Sequence, residues 1–287
     1  MTVWILLPAF NETLSIPKLF PRIRESFDAT GLSWRIALLD DGSTDDILEV
    51  LEGFKEYPLD ILRHSINRGL GETERDLFEY AAAHAAPDDV AIRLDCDDTH
   101  DPRFFISLIR KLEEGNDVVI ASRFQPGGGQ DVTGGRLFLT HAAALWMRLF
   151  FPIDKVRDYS CGFRAYRIRA LRDAITIFGN NFIQLKGLGF TSTLETIVKL
   201  SLLGARFAEI PFVLHYSRKL SLSKMYGSVT TLGYVIMTML YWWPFGGWRS
   251  CYRGLAALYR RDSESAVRNF SSKRKRRPTM SSPGGGT

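Results

Sequence analysis

Acidic side chains able to hold a divalent cation are bunched in two places. The stretch "RLDCDDTHDP" (93–102) places Asp95, Asp97, Asp98 and Asp101 directly after the apolar run "VAI". A second stretch, "DDGSTDD" (40–46), opens with Asp40 and Asp41 after "IALL". Local capping accounts for part of this: Ser43 or Asp45 can cap a following helix, Gly42 can supply a turn, and Asp101–Pro102 is a good Ncap–N1 pair. Capping leaves Asp40 with Asp41, and Asp95 with Asp97 and Asp98, unexplained. Paired acids suit an oxygen-ligated Mg2+ or Mn2+ that also bridges a substrate diphosphate, and on this reading the ion relieves their mutual repulsion. Neither G-x-x-x-x-G-K-[ST] nor G-x-G-x-x-G after the first strand occurs, so base and phosphate must be held another way.

The elements that would position these acids are legible from period. "VWILLP", "WRIALL", "LDILR", "VAIRL" and "VVIAS" have strand length and are apolar on both faces, as strands covered by helices on both sides should be. Helical patterns lie between them, around 13–29, 44–56, 70–86 and 102–114. This alternation predicts an α/β fold, a mostly parallel sheet flanked by helices. Ligands of such sheets bind at the carboxyl ends of the strands. The loops "PAFNE" (8–12), "DDGSTDD", "DCDDTHDP" (95–102) and "RFQPGGG" (123–129) would therefore share one rim.

Composition sets the class. The chain has 287 residues, 45% hydrophobic and 24% charged, which is that of a soluble globular protein with a real core. Cys96, Cys161 and Cys251 are too few and too irregularly spaced for a disulfide framework or zinc site, so a reducing cytoplasmic compartment is expected. "MTVWILLPAFNE" lacks a basic n-region and reads as a first strand. The net charge of +5 is uneven, because Lys273 to Arg277 form a basic run in a Ser/Pro/Gly tail. That tail reads either as a solvated appendage or as a contact to anionic lipid. No nucleic-acid partner is expected.

Seven motifs in order carry a family resemblance: "LLPAFNE", "LLDDGSTD", "NRGLGETERDLFEYA", "RLDCDDTHDP", "ASRF", "DYSCGFRAY" and "EIPFVLHYSRKLSLSK". Across roughly 3–226 the chain resembles family 2 glycosyltransferases, most of all the dolichol-phosphate mannose synthase branch. The resemblance implies a nucleotide-sugar-binding (GT-A-like) fold that moves a sugar, with inversion, from a nucleotide diphosphate to a polyprenyl phosphate. It implies that Pro8, Phe10 and Glu12 border the nucleotide, Asp40 reaches its base or ribose, and Asp95 and Asp97 hold metal and diphosphate. Arg123, Arg218 and Lys224 look like the family's phosphate-binding cations, and Asp95, Asp97 and Arg218 are the expected catalytic set. Cys96 stands where the family usually has alanine, beneath the donor sugar. The two transmembrane hairpins of some relatives have no counterpart in the sequence.

Chemistry sharpens this. Sugar transfer builds negative charge on the departing diphosphate, which a divalent ion with Arg and Lys would stabilise. A lipid monophosphate, with a second pKa of about 6, is already ionised and needs no general base. The "Q-x-x-R-W" pattern of hydroxyl-accepting relatives is not found, whereas Arg136, Arg157, Arg164, Arg167 and Arg169 make the second half basic. Arg136, with Arg123, is the candidate contact to the acceptor phosphate, against the alternative of a solvated arginine at a helix start. The basic loop "YSRKLSLSK" (216–224) is a candidate lid. His100 reads either as a contact to sugar or metal or, preferred, as a loop histidine satisfied by backbone, Cys161 as core, and Asp158 either as an acceptor-side residue or as an orienting partner for Arg157 or Arg164. Glu195 is placed near the donor sugar by resemblance alone.

"VTTLGYVIMTMLYWWPFGGW" (229–248) has too short an apolar core to span a bilayer. With Tyr241, Trp242, Trp243 and Trp248 at one end it reads as an interfacial helix on the cytoplasmic leaflet, or as a helix packed on the core or on a membrane-embedded partner subunit. A further amphipathic helix is expected in "RGLAALYRRDSESAVRNF". The expected divisions are a catalytic domain over 1–226, C-terminal amphipathic helices over 227–268 and a disordered basic tail over 269–287. The function expected is metal-dependent transfer, first of mannose from GDP-mannose, to a polyprenyl phosphate by a protein peripheral to the membrane. UDP-glucose or another donor, and a nucleotide-binding scaffold without turnover, are the alternatives.

Overall fold

The computed structural model describes residues 1–28, 30–131, 135–218 and 227–275. Five strands come from the apolar runs: β1 (Thr2–Ala9), β2 (Ser33–Asp40), β3 (Leu59–Arg63), β4 (Val90–Arg93) and β5 (Val118–Ser122). The helices between them are α1 (Ile16–Asp28), α2 (Ile47–Glu52), α3 (Leu70–His84) and α4 (Phe105–Glu113). Then follow β6 (Gly129–Gln130), α5 (Gly135–Phe150), β7 (Arg164–Arg167), α6 (Ile168–Phe178), α7 (Thr191–Leu203), β8 (Phe207–Pro211) and β9 (Val213–Leu214). The chain continues through α8 (Gly227–Trp242), α9 (Gly247–Cys251), α10 (Leu255–Arg261) and α11 (Ser263–Lys275).

The main sheet runs β3-β2-β1-β4-β7-β5-β8, and β6 pairs with β9 in a short second ladder. Pairing is parallel except for β7, which lies antiparallel between β4 and β5. That reversal matters for the site. At the rim where β4 and β5 end, β7 begins, so residues 158–163 join the loops after β4 and β5. The β1–β4 pairing stops at Leu6↔Arg93 while β1–β2 pairing continues to Ala9↔Asp40. Pro8, which cannot donate to a ladder, falls in this opened stretch.

Central strands β1, β4 and β5 are buried on both faces, as the apolar runs require. The expectation fails at β3, whose residues are only partly buried, because it is the sheet edge. There Arg35 and Asp60 form a partly exposed cross-strand ion pair. The C-terminal helices are not a separate layer: Met237, Trp248, Leu255 and Ala266 are buried in the common core. α11 runs to Lys275, past the boundary at residue 268.

Candidate active site

Loop geometry at the rim begins with the first two loops laced together. The Asn11 backbone, at φ 53°, donates its N–H to Ser43 Oγ at 2.9 Å, while Thr44 N donates to Asn11 Oδ1 at 2.8 Å. Thr13 N donates to Asp45 Oδ2 at 3.0 Å. Ser43 and Asp45 thus fasten the β1 loop instead of capping α2, whose N-cap Asp46 makes no side-chain cap bond. Gly42 does supply the turn, at φ 69°.

Asp40 and Asp41 have separate occupations. Wholly buried Asp40 accepts from Ser43 N at 2.9 Å, with Arg63 Nε 3.1 Å from its other oxygen. Asp41 accepts from His64 Nδ1 (2.7 Å), Arg68 N (2.9 Å) and Gly69 N (2.8 Å), pinning the segment before α3. Glu12 is buried and accepts from Ser15 Oγ at 2.8 Å, Cys96 is buried, and Pro8 and Phe10 are half-buried at the same rim.

Each carboxylate of the loop after β4 has a protein partner. Asp98 pairs with Arg22 of α1, whose Nη2 also lies 3.0 Å from Asp101 Oδ1. Asp101 caps the 3-10 turn Pro102–Phe104 through Arg103 N at 3.1 Å and pairs with the Arg103 side chain at 2.7 Å. These arginines hold the Asp101 carboxyl well below the usual range, against the upward pull of burial. Asp97 accepts from Thr99 Oγ1 at 2.6 Å and Thr99 N at 3.2 Å. Asp95 accepts from Arg93 Nη1 at 2.6 Å. Relief of repulsion therefore does not require a metal: Arg93 and Arg103, each two residues from the acid it serves, and Arg22 of α1 supply it.

Asp95, with 32% of its side chain exposed, faces outward from this loop, and Asp97 follows one residue on. Among the described residues no three His, Cys, Asp or Glu side chains cluster to hold an ion. The donor set nonetheless fits Mg2+ or Mn2+, which are commonly bound by one or two carboxylates with substrate phosphates and water completing the shell. His100 is as expected: Nδ1 accepts the Asp95 backbone N–H at 3.0 Å, and the ring stacks on Phe163 at 5.2 Å. Burial pushes its pKa down despite the nearby Asp95 and Asp97, so it stays neutral.

Across the rim, Asp158 makes a two-pronged pair with Arg123: Nη2 to Oδ1 at 2.6 Å and Nε to Oδ2 at 2.7 Å. It also accepts from the backbone N–H groups of Arg123 and Cys161 at 2.9 and 3.0 Å. Asp158 orients Arg123, then, not Arg157 or Arg164. Arg164 is buried, donating to Thr193 O and, at 2.7 Å, to Tyr159 O, while Arg167 holds the carbonyls of Asn116 and Leu112. Cys161 is core, its thiol pushed up to about 12 by burial. Glu195 lies inside α7, accepting from the N–H groups of Gln184 and Leu185 at 2.9 and 2.8 Å. Arg136 is in α5 and Arg218 ends a 3-10 turn, their side chains outside the described part, and Lys224 lies outside the described residues.

Two features were missed from sequence. A cavity of about 390 Å³ is lined by Phe124, His141, Ala144, Leu145, Arg148 and Arg157, and the Arg123 guanidinium lies over the Phe124 ring, 5.6 Å from its centre. Next to it, α5 and α8 pack side by side, with Trp146 Nε1 donating to Thr238 Oγ1 (3.3 Å) and Trp242 Nε1 to Phe150 O (2.8 Å). They leave Leu145, Leu149, Leu232 and Met239 exposed, and Trp243 and Phe245, which follow α8, are exposed as well. The signal for α5 was present in "LFLTHAAALWMRLF", whose apolar residues recur at helical spacing.

The sequence model of glycosyl transferase family 2 matches residues 4–177, which include every rim loop through Asp158. The chain belongs to this family. A dolichol-phosphate mannosyltransferase of Pyrococcus furiosus is 26% identical over 215 residues, 74% of this chain, which spans 56% of that relative's length. An undecaprenyl-phosphate mannosyltransferase of Micrococcus luteus is 26% identical over 251 residues, 86% of this chain and 96% of the relative. The fold is that of glucosyl-3-phosphoglycerate synthase from Mycobacterium tuberculosis, crystallised with Mn2+, uridine diphosphate and glucosyl-3-phosphoglycerate. That likeness has a TM-score of 0.54 at 20% identity, covering 83% of this chain and 78% of the other. Among the described residues no helix is long and apolar enough to cross a membrane.

Proposed function

We propose that the protein transfers a sugar, first of all mannose from GDP-mannose, to a polyprenyl phosphate at a membrane surface. The observation that carries this beyond family membership is the cavity beside Arg123. Its wall is cationic through Arg148 and Arg157 and apolar through Phe124 and Leu145, and it adjoins the exposed apolar face of α5 and α8. A lipid phosphate has this same division into an anionic head and an apolar tail. Phe245 is 96% exposed and Trp243 71%, a large apolar display for a surface not meant for lipid or protein.

Asp95 and Asp97 would hold Mg2+ or Mn2+, which when bound stabilises charge on the departing diphosphate. Arg123 is held fully charged by Asp158, which outweighs the opposing effect of burial. Asp158 uses its Nε and Nη2, leaving Nη1, 3.5 Å from Gln130 Oε1, as the edge able to donate to a phosphate. Asp158 already balances its charge, so Arg123 would orient the phosphate rather than attract it from afar. His100, neutral and already accepting a backbone N–H, is not a base, and an ionised phosphate nucleophile needs none.

Purified protein incubated with Mn2+, labelled nucleotide sugars and a short-chain polyprenyl phosphate should form an organic-extractable labelled lipid, with GDP-mannose the best donor. Asp97→Asn should abolish it. Undiminished product from Asp97→Asn, or none from any donor, would overturn the proposal.

A further inference from the structure

Beneath the outward-facing Asp95 lies a charge that glycosyl transfer does not by itself explain. Arg93, the last residue of β4, is almost wholly buried and serves two acids at once. Its Nη1 donates to Asp95 Oδ1 at 2.6 Å, and its Nε lies 2.8 Å from Glu74 Oε1 of α3. Glu74 is equally buried and accepts from Ser192 Oγ of α7 at 2.5 Å. Arg164, directly opposite Arg93 across the β4–β7 pairing, turns to backbone carbonyls, so Glu74 and Asp95 are the acids that face Arg93. The space for the guanidinium is made by Gly162: a Cβ there would lie 1.9 Å from Arg93 Nη1 and 2.8 Å from Cζ. Sheet, helix and glycine together fix one cation against one oxygen of Asp95.

A cation fixed there competes with any other cation for the same carboxylate. An opposite charge this near shifts the equilibrium between charged and neutralised carboxylate by about one to three powers of ten. Glu74 moderates the grip, since it shares the same guanidinium. We propose that Arg93 is a positioning residue that suppresses binding of a divalent ion to the bare site. The ion then enters with the nucleotide diphosphate, whose oxygens supply the ligands and negative charge that Arg93 withholds. The proposal rests on the reading of Asp95 and Asp97 as the metal carboxylates.

The test is titration of the full chain with Mn2+, followed by electron paramagnetic resonance, with and without GDP. Two variants move Arg93's hold on Asp95 in opposite directions. Glu74→Gln keeps an acceptor for Ser192 but gives Arg93 wholly to Asp95, so affinity for Mn2+ alone should fall several-fold. Glu74→Gln with Arg93→Met removes both buried charges together, leaving none uncompensated, and affinity for Mn2+ alone should rise about tenfold. In both, the ratio of affinities with and without GDP should change, widening in the first and narrowing in the second. Equal affinities in all three proteins, or losses in both variants, would overturn the inference while leaving the metal site standing. If the double variant fails to fold, unchanged or tighter Mn2+ binding by Glu74→Gln alone would overturn it. Should wild-type protein bind no Mn2+ even with GDP, the metal reading falls and takes the inference with it.

Discussion

Replacing Asp158 by asparagine tests whether the Arg123–Asp158 pair holds the rim together. The pair is two-pronged, both side chains are nearly or wholly inaccessible, and the same carboxylate accepts the backbone N–H of Arg123 and of Cys161. Asparagine keeps one acceptor oxygen but leaves the guanidinium buried beside a neutral group. Breaking a buried pair from one side costs about 3–5 kcal/mol. At roughly 2–4 °C per kcal/mol for a chain of this size, the midpoint of thermal unfolding should drop by about 10 °C. The pH dependence has a definite sign. Arg123 outweighs the effect of burial and holds Asp158 below the ordinary 3.8, so its contribution is complete above that value and lost as pH falls through the lower folded one. Circular dichroism melts from pH 7 down to pH 3 should therefore show a constant gap between wild type and variant down to about pH 4, narrowing only below. Adding Arg123→Met should recover much of the loss, since no buried charge is then left alone. A midpoint within 2 °C of wild type at neutral pH, on the scale just used, would refute the reasoning.

Further predictions concern the α7 core, the β2 turn and the apolar face. Burial lowers Lys199 to about 8, only partly offset by Glu195 3.6 Å away. Between pH 8 and the ordinary 10.5 the unfolded chain holds more protons, so stability to urea should rise across that window and Lys199→Met should flatten the rise. Gly42→Ala places a Cβ 2.5 Å from the Ile66 carbonyl carbon at φ +69°, so urea unfolding should show a loss of about 2–4 kcal/mol from strain and overpacking. Trp243→Ser with Phe245→Ser should weaken binding to anionic phospholipid vesicles at least tenfold in sedimentation assays while leaving the melting temperature unchanged, since each aromatic lost removes about 1.5–3 kcal/mol of burial.

Much of the fold was readable because short apolar runs between helical patterns announce strands, whether central or, like β3, at the edge. "LDILR" and "VVIAS" became β3 and β5 with the bounds read from sequence, and Asp101–Pro102 capped its turn as expected. β7 was not readable: "RAYR" carries two arginines, and Arg164 is buried only because carbonyls of Tyr159 and Thr193 receive it. Those partners lie on other elements, so no periodicity reveals them. Missing β7 also hid the reason that Asp158 and Gly162 belong to the rim, since an antiparallel strand brings its beginning, not its end, to the edge where its neighbours finish.

The acid-rich loops were legible as neighbours on one rim, but their countercharges were legible only in part. Like charges close together demand countercharge, and sequence shows only those countercharges that are near in sequence. Arg22 reaches Asp98 and Asp101 from α1 and Arg63 reaches Asp40 from the sheet edge, both far along the chain, whereas Arg93 stands only two residues before Asp95 and was open to reading. Each acid at the rim thus meets an arginine or a hydrogen-bond donor before any ligand arrives. The consequence runs opposite to the first intuition. On the proposal above, a rim so balanced would attract a lone divalent ion weakly, and a diphosphate, adding negative charge that the arginines do not cancel, would complete the site. Dependence of Mn2+ affinity on nucleotide would then be a property of the arginines as much as of the aspartates.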